Sequence, residues 1–255
     1  MLACIDIGNT HTHFGFCTPG GLSAATDTGE VKTASLEALL PLLETRRAEL
    51  TAIAFCSVVP AAVPRLRTAL VALDLPLWQL THEVKLGVDI TYPRPAEIGQ
   101  DRLANAAGAA ALGPLPAVVI DLGTAVTFDI VTDRGGYEGG IITPGPSLMT
   151  RYLHEHTAQL PLVEDVTSPV TSAIGKSTVE AMRIGAVLGF TGLMQACLDG
   201  VEGDLTAAGE PTARVITCGG AYALVRNRLR QPTTDIPDLT LRGLAAAWAL
   251  NQGSG

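Results

Sequence analysis

Residues 4–16 read CIDIGNTHTHFGF, and residues 118–131 read VVIDLGTAVTFDIV. Each opens on apolar, strand-forming residues, reaches an Asp, steps through a Gly two positions later and resumes as a second strand-like run. A shift of 115 residues, from 6 to 121, lays Asp6 on Asp121, Gly8 on Gly123 and Thr12 on Thr127. One such turn is ordinary, because Asp and Asn side chains bond nearby backbone in turns. Its recurrence at a fixed distance points to architecture: two related strand-turn-strand units in one chain.

A chain of 255 residues accommodates two domains of ordinary size. The break is expected near Gly113–Leu115, giving domains 1–114 and 115–255, with the terminal helix free to pack back. In the first half, strands are expected in 2–16, in LTAIAFCSVVP and in LPLWQLT. Helices are expected over 35–48, 61–73 and 100–112, and 84–95 is loop-rich. The second half restarts with strands over 118–133 and a return strand in RGGYEGGIITPG. Helices over 147–160 and 177–198, a strand in ARVITC and a helix over 241–251 complete it. Strands followed by helices in both halves predict an α/β fold. Aromatics are only 4% of residues against 47% hydrophobic, so the core must be built mostly from Ala, Leu, Val and Ile.

Composition narrows the function. A formal charge of −8 weighs against a surface dedicated to nucleic-acid phosphates and favours a small-molecule ligand. Five scattered cysteines, an odd number with no CxxC pair, suit a reducing cytoplasm. Asp6 stands where a signal sequence needs apolar residues, so no targeting peptide is expected. The apolar stretch 106–120 is short and broken by Pro114 and Pro116, so no membrane span is expected. His11 and His13 alternate along a strand, and His154 and His156 lack the HExxH spacing, so no histidine metal site is expected.

Turns of the Asp-x-Gly kind offer backbone N–H groups and hydroxyls to phosphate oxygens, and their carboxylates can hold a cation or its waters. Neither copy is a Walker A loop, and no GxGxxG follows a strand. The reading that remains is two actin-like (ribonuclease H-like) domains whose duplicated strand-turn-strand phosphate loops clamp a nucleotide.

The segments DIGNTHTHFGF, EIGQDRLANAAGA, VVIDLGTAVTFD, GGIITPG, TAQLPLVE, IGKSTVEAMRIG and TLRGLAAAW occur in the order seen in type III pantothenate kinases and cover the chain nearly end to end. The chain thus resembles that family. The resemblance implies ATP-dependent phosphorylation of pantothenate on its terminal hydroxyl, the first step of coenzyme A biosynthesis. It makes Asp6, Ile7, Gly8, Asn9, Thr10, His11, Thr12 and His13 the first phosphate loop, with Asp6 holding Mg2+ through water. Thr124 becomes the second phosphate contact, and Asp121 the ligand of a monovalent cation, K+ or NH4+. Gly219 and Gly220 match the adenosine-side turn, although Cys218 stands where a Thr is more usual. Lys176 stays unassigned.

The acceptor side, by the same resemblance, is IGQDR with Tyr92 and Thr178. Gly99 permits close backbone approach, Asp101 is the base for the hydroxyl proton, and Arg102 offers a planar fork to the pantothenate carboxylate. By themselves Asp101 and Arg102 read equally as a helix cap with a surface ion pair. Tyr92 reads equally as a half-buried tyrosine and Thr178 as a helix N-cap. Gln100 occupies a position where the family most often has a small residue. The resemblance also implies a homodimer whose pantothenate pocket is shared across the interface, with Thr178 reaching in from the second subunit. Two rivals stand beside this reading: a non-catalytic nucleotide-binding regulatory accessory factor of the same fold, and a kinase for another small hydroxyl acid.

Overall fold

The computed structural model describes residues 1–166, 168 and 170–252. In chain order its first half gives β1 (Leu2–Ile7), β2 (His11–Cys17), β3 (Thr26–Lys32), α1 (Leu39–Glu44), β4 (Ala52–Ser57), α2 (Ala62–Leu70), β5 (Leu77–Gln79) and α3 (Gln100–Leu112). The second half gives β6 (Ala117–Leu122), β7 (Ala125–Thr132), β8 (Gly136–Pro144), α4 (Pro146–Glu155), α5 (Thr178–Ala207), β9 (Arg214–Cys218), α6 (Tyr222–Val225), β10 (Thr233–Asp235) and α7 (Leu239–Asn251).

The strands form two five-stranded sheets, ordered β3-β2-β1-β4-β5 and β8-β7-β6-β9-β10. In the first, β2 lies antiparallel to β1 and β3, while β1, β4 and β5 run parallel. In the second, β6, β9 and β10 run parallel. Laid on one another, β1 matches β6 and β4 matches β9, so the repeat of 115 residues is a duplicated sheet.

The chain divides into two compact units. The first holds Met1–Leu115, Val131–Gly139 and the segment from Asp238 on. The second holds Pro116–Ile130 and Gly140–Pro237.

In the first unit the strand period of two sorts side chains to the two faces of the sheet. Leu2, Cys4, Ala54 and Cys56 face Leu103, Ala104 and Ala107 of α3 and Leu241, Leu244 and Ala245 of α7. Ala3, Ile5, Ile53 and Phe55 face Leu36, Leu39, Leu43, Leu66 and Leu70. Helices cover both faces, so β1 and β4 are almost wholly buried. α7 lies directly on α3, where Gly243 and Gly108 let the backbones approach closely. Buried Asn105 of α3 accepts a hydrogen bond from the Thr240 hydroxyl of α7 at 2.8 Å.

In the second unit Val118, Ile120 and Leu122 of β6 pack with Val187, Phe190, Met194 and Leu198 of α5. That stripe continues through Val201 and Leu205, which is why α5 runs on to Ala207, past the Leu198 expected from sequence. Among the described residues α5 is one helix long and apolar enough to cross a membrane by length and composition. Its buried stripe makes it the core helix of this unit.

The expected helix over 35–48 is broken. A 3-10 turn spans Thr33–Ala38, α1 follows, and a second 3-10 turn spans Arg47–Glu49. Pro41 lacks the N–H that would bond back to Glu37, so the regular helix cannot extend towards Ser35.

Candidate active site

The first turn is built by β1 and β2. Asp6 is the penultimate residue of β1, opposite His13 on β2 and opposite Cys56 on β4. Beyond it Gly8 N–H bonds the His11 carbonyl at 3.1 Å, closing a turn whose Asn9 and Thr10 are exposed. Ile7 is buried in the core below. Thr12 is buried too, and its hydroxyl meets that of Thr33 at 2.9 Å, while the Thr33 hydroxyl donates to the Gly8 carbonyl at 2.7 Å. Thr12 therefore braces the turn from beneath, and the exposed residues of the loop are Asn9, Thr10, His11 and His13. His13 lies 3.6 Å from the Glu30 carboxylate on β3. Partial desolvation lowers its pKa below the ordinary imidazole value, and Glu30 opposes that shift. The Cys56 thiol donates to Asp6 Oδ1 at 3.3 Å.

The acceptor-side residues lie in the same unit, at the start of α3. Asp101 Oδ1 accepts the Arg102 backbone N–H at 2.8 Å, so the carboxylate satisfies a donor in the first turn of its own helix, where the macrodipole favours negative charge. Burial of the carboxyl nonetheless raises its pKa above the usual Asp value, against the lowering effect of the Arg102 N–H and guanidinium. A Cβ on Gly99 would lie 2.6 Å from Asp101 Oδ1, so a side chain there would displace that carboxylate. The Arg102 guanidinium sits 5.8 Å over the ring of Tyr137, which is fully buried. Tyr137 in turn stands 6.4 Å from Tyr92, ring to ring. Backbone bonds from Tyr137 N–H to the Asp89 carbonyl (2.8 Å) and from Thr91 N–H to the Tyr137 carbonyl (3.2 Å) hold the Tyr92 loop to β8. Gln100, the first residue of α3, turns its side-chain carbonyl to Ser57 N–H at 2.9 Å and to the Gln79 amide at 3.2 Å.

Tyr137, Cys56, Ser57 and Gln79 were not singled out from sequence. Tyr137 alone carried a local signal, standing between two glycine pairs in GGYEGG. The others reach the site only through pairing of distant strands.

The second unit repeats the first turn. Asp121 is the penultimate residue of β6, opposite Cys218 on β9, and Gly123 and Thr124 form an exposed turn. Gly145 N–H bonds the Thr124 carbonyl at 2.9 Å, tying the turn to the start of α4. Gly219 has φ +86°, and a Cβ there would lie 2.7 Å from Asp121 Oδ1. Glycine is required on both counts, and it brings bare backbone against the carboxylate. Gly220 beside it faces open space. Thr178 is exposed at the first position of α5, and the N-cap is Ser177, whose hydroxyl accepts the Glu180 N–H at 3.2 Å. Glu180 reaches back to Lys176 N–H at 2.7 Å, just ahead of the cap.

Known proteins resemble this chain in sequence and in fold. The family model described as type III pantothenate kinase matches residues 2–199. A type III pantothenate kinase of Akkermansia muciniphila is 42% identical over 247 residues, covering 97% of this chain and 98% of that protein. One from Rhodospirillum centenum is 37% identical, covering 96% of each chain. Among solved structures, one described as a Baf family transcriptional activator from Campylobacter jejuni superposes with a TM-score of 0.62 at 16% identity, covering 95% of this chain and 94% of that one. One described as a 2-dehydro-3-deoxygalactonokinase from Sinorhizobium meliloti gives 0.56 at 15% identity, covering 100% and 98%. Likeness at such low identity speaks for the fold alone, a two-domain, actin-like α/β architecture. The end-to-end sequence match decides the lineage: the chain belongs to the type III pantothenate kinase family.

Proposed function

We propose that this chain transfers the γ-phosphoryl group of ATP to the terminal hydroxyl of pantothenate, the first step of coenzyme A biosynthesis, with Asp101 as the base and Arg102 as the anchor of the pantothenate carboxylate. The observation that carries this reading is the start of α3: a desolvated carboxylate of raised pKa beside a guanidinium braced on a buried ring. A raised pKa makes Asp101 a stronger base than an ordinary Asp. It accepts the hydroxyl proton as the oxygen attacks the γ-phosphorus, and ADP leaves in line. Arg102 holds the other end of the acceptor, which fixes the direction from which the hydroxyl approaches.

In the same reading the backbone and exposed side chains of Gly8–His13 and of Thr124 take phosphate oxygens, and Gly219 and Gly220 lie along the adenosine. Asp6, half-buried beside an exposed turn, fits a carboxylate that holds Mg2+ through its waters. Asp121, against whose Oδ1 the bare backbone of Gly219 packs, fits a ligand of K+ or NH4+. Cations held at these residues would offset charge on the phosphoryl group. Five cysteines, none of them in a disulfide, suit a cytoplasmic enzyme.

The proposal extends to a homodimer formed through α5. Leu188 of that helix is 47% exposed, Tyr152 of neighbouring α4 is 63% exposed, and side chains built on Gly185, Gly189 and Gly192, on the Leu188 side of the helix, would meet nothing within 4 Å. An apolar face with room for close backbone approach suits a second copy of the same helix. Thr178, at the start of α5, would then serve the partner's pantothenate pocket.

An ADP-release assay on the purified chain in K+ buffer tests the reading. Release should depend on added pantothenate, and it should weaken when Na+ replaces K+ and lose that response in Asp121→Asn. ADP formation indifferent to pantothenate, or none at all, would overturn it.

A further inference from the structure

The odd-numbered residues of β4 face β5. Ile53 N–H bonds the Pro76 carbonyl, and Leu80 N–H bonds the Phe55 carbonyl, both at 2.9 Å. The next odd residue is Ser57, but β5 has ended at Gln79. No strand carbonyl stands opposite Ser57 N–H, and Ser57 is only 7% exposed. Gln100 supplies the missing acceptor: its Oε1 takes Ser57 N–H at 2.9 Å, and the Gln79 side-chain amide donates to the same oxygen at 3.2 Å. Both lone pairs of that oxygen are used, so the Gln100 side chain has one orientation.

Gln100 opens α3, and Asp101 follows it directly. The tip of β4 thus reaches both chemical groups of this unit. Cys56 donates its thiol to Asp6 on the phosphate turn, and Ser57 holds Gln100 beside Asp101. We propose that Gln100 is a positioning residue, a side-chain extension of the sheet that sets the Asp101 carboxylate in register with the phosphate turn. The proposal rests on the kinase reading for its effect on rate, and on geometry alone for its effect on the strand end.

Gln100→Leu removes the acceptor at similar size, whereas Gln100→Glu keeps oxygens for both donors. With Leu, kcat should fall roughly 10- to 100-fold with the KM for ATP unchanged, the scale set by a small misplacement of a reacting group. Amide exchange at Ser57 should speed up about tenfold or more, because a buried N–H loses its partner. With Glu, exchange should return to the unmodified level and most of the rate should return with it. If Gln100 instead touched pantothenate directly, Glu would repel the acceptor's carboxylate, raising its KM and leaving Glu the worse variant. That result, or a Leu variant with unmodified exchange at Ser57, overturns the proposal. A melting curve shows whether each variant is folded at the assay temperature. If the unmodified chain turns over no ATP, the exchange rates still decide the strand-end role, so failure of the kinase reading and failure of this one are told apart.

Discussion

Replacing Asp101 by asparagine separates the chemistry of the acceptor site from its construction. The amide oxygen of Asn can accept the Arg102 N–H that Asp101 Oδ1 accepts at 2.8 Å, and the fit beneath Gly99 is unchanged in size. The start of α3 should survive. What disappears is the group able to take a proton, and general-base help is worth about 10²–10⁴-fold, roughly 2.7–5.4 kcal/mol of barrier. Stability should move the other way. Burial raises the Asp101 pKa in the folded chain, so the folded state holds the proton to higher pH than the unfolded state does. Unfolding free energy therefore falls as pH rises from the unfolded to the folded pKa, and neutral pH keeps the whole of that loss. Asparagine carries no charge to desolvate, so the variant should melt no lower than the unmodified chain at pH 7. The assay is kcat at saturating ATP and pantothenate, nucleotide affinity by fluorescence, and a melting curve at the same pH. A rate within tenfold of normal would remove Asp101 from proton transfer. A melting point lowered by several degrees would show that the carboxylate serves the fold.

The same raised pKa should appear in kinetics: the acid limb of kcat/KM should lie above the ordinary Asp value, measured as a pH profile from about 3 to 8, and Asp101→Asn should abolish it. Gly243→Ala should weaken the seat of α3, because the new Cβ would fall inside the contact shell of the Ala104 carbonyl and 2.9 Å from Gly108 N. Backbone cannot yield as a side chain does, so the cost should reach the upper end of overpacking, about 3 kcal/mol. Calorimetry should then show a loss of about 6–12 °C in Tm, and a shift within 1 °C, roughly the noise of the scan, would contradict the tight α3–α7 approach. Leu188→Arg should convert a dimer into monomers in light scattering coupled to size exclusion, and a dimer that tolerates it would place the partner elsewhere.

Local sequence determined the parts of this protein whose information is contiguous. The two Asp-x-Gly turns and their spacing of 115 residues announced a duplicated sheet, because a strand, a turn and a strand are written in neighbouring residues. α3 begins and ends where expected, at Gln100 and Leu112, since Gly99 and Gly113 flank an Ala-rich run with strong helical propensity. The ordered motifs singled out Asp6, Asp101, Arg102 and Asp121 before any fold was in view. Other features existed only once the chain had folded. β3, TDTGEVK, has no buried residue and is a strand because β2 offers it a ladder. Three-residue β10 forms beside β9 for the same reason. Thr12 reads as one more hydroxyl in a phosphate loop until Thr33, 21 residues away, draws it inward. Gln100 reads as an odd substitution until β5 stops short and leaves Ser57 N–H, 43 residues away in sequence, for its side chain to satisfy. Propensity and turn chemistry act over a few residues, whereas the need to pair every buried polar group is met by whatever the fold brings near. That need was settled in three dimensions.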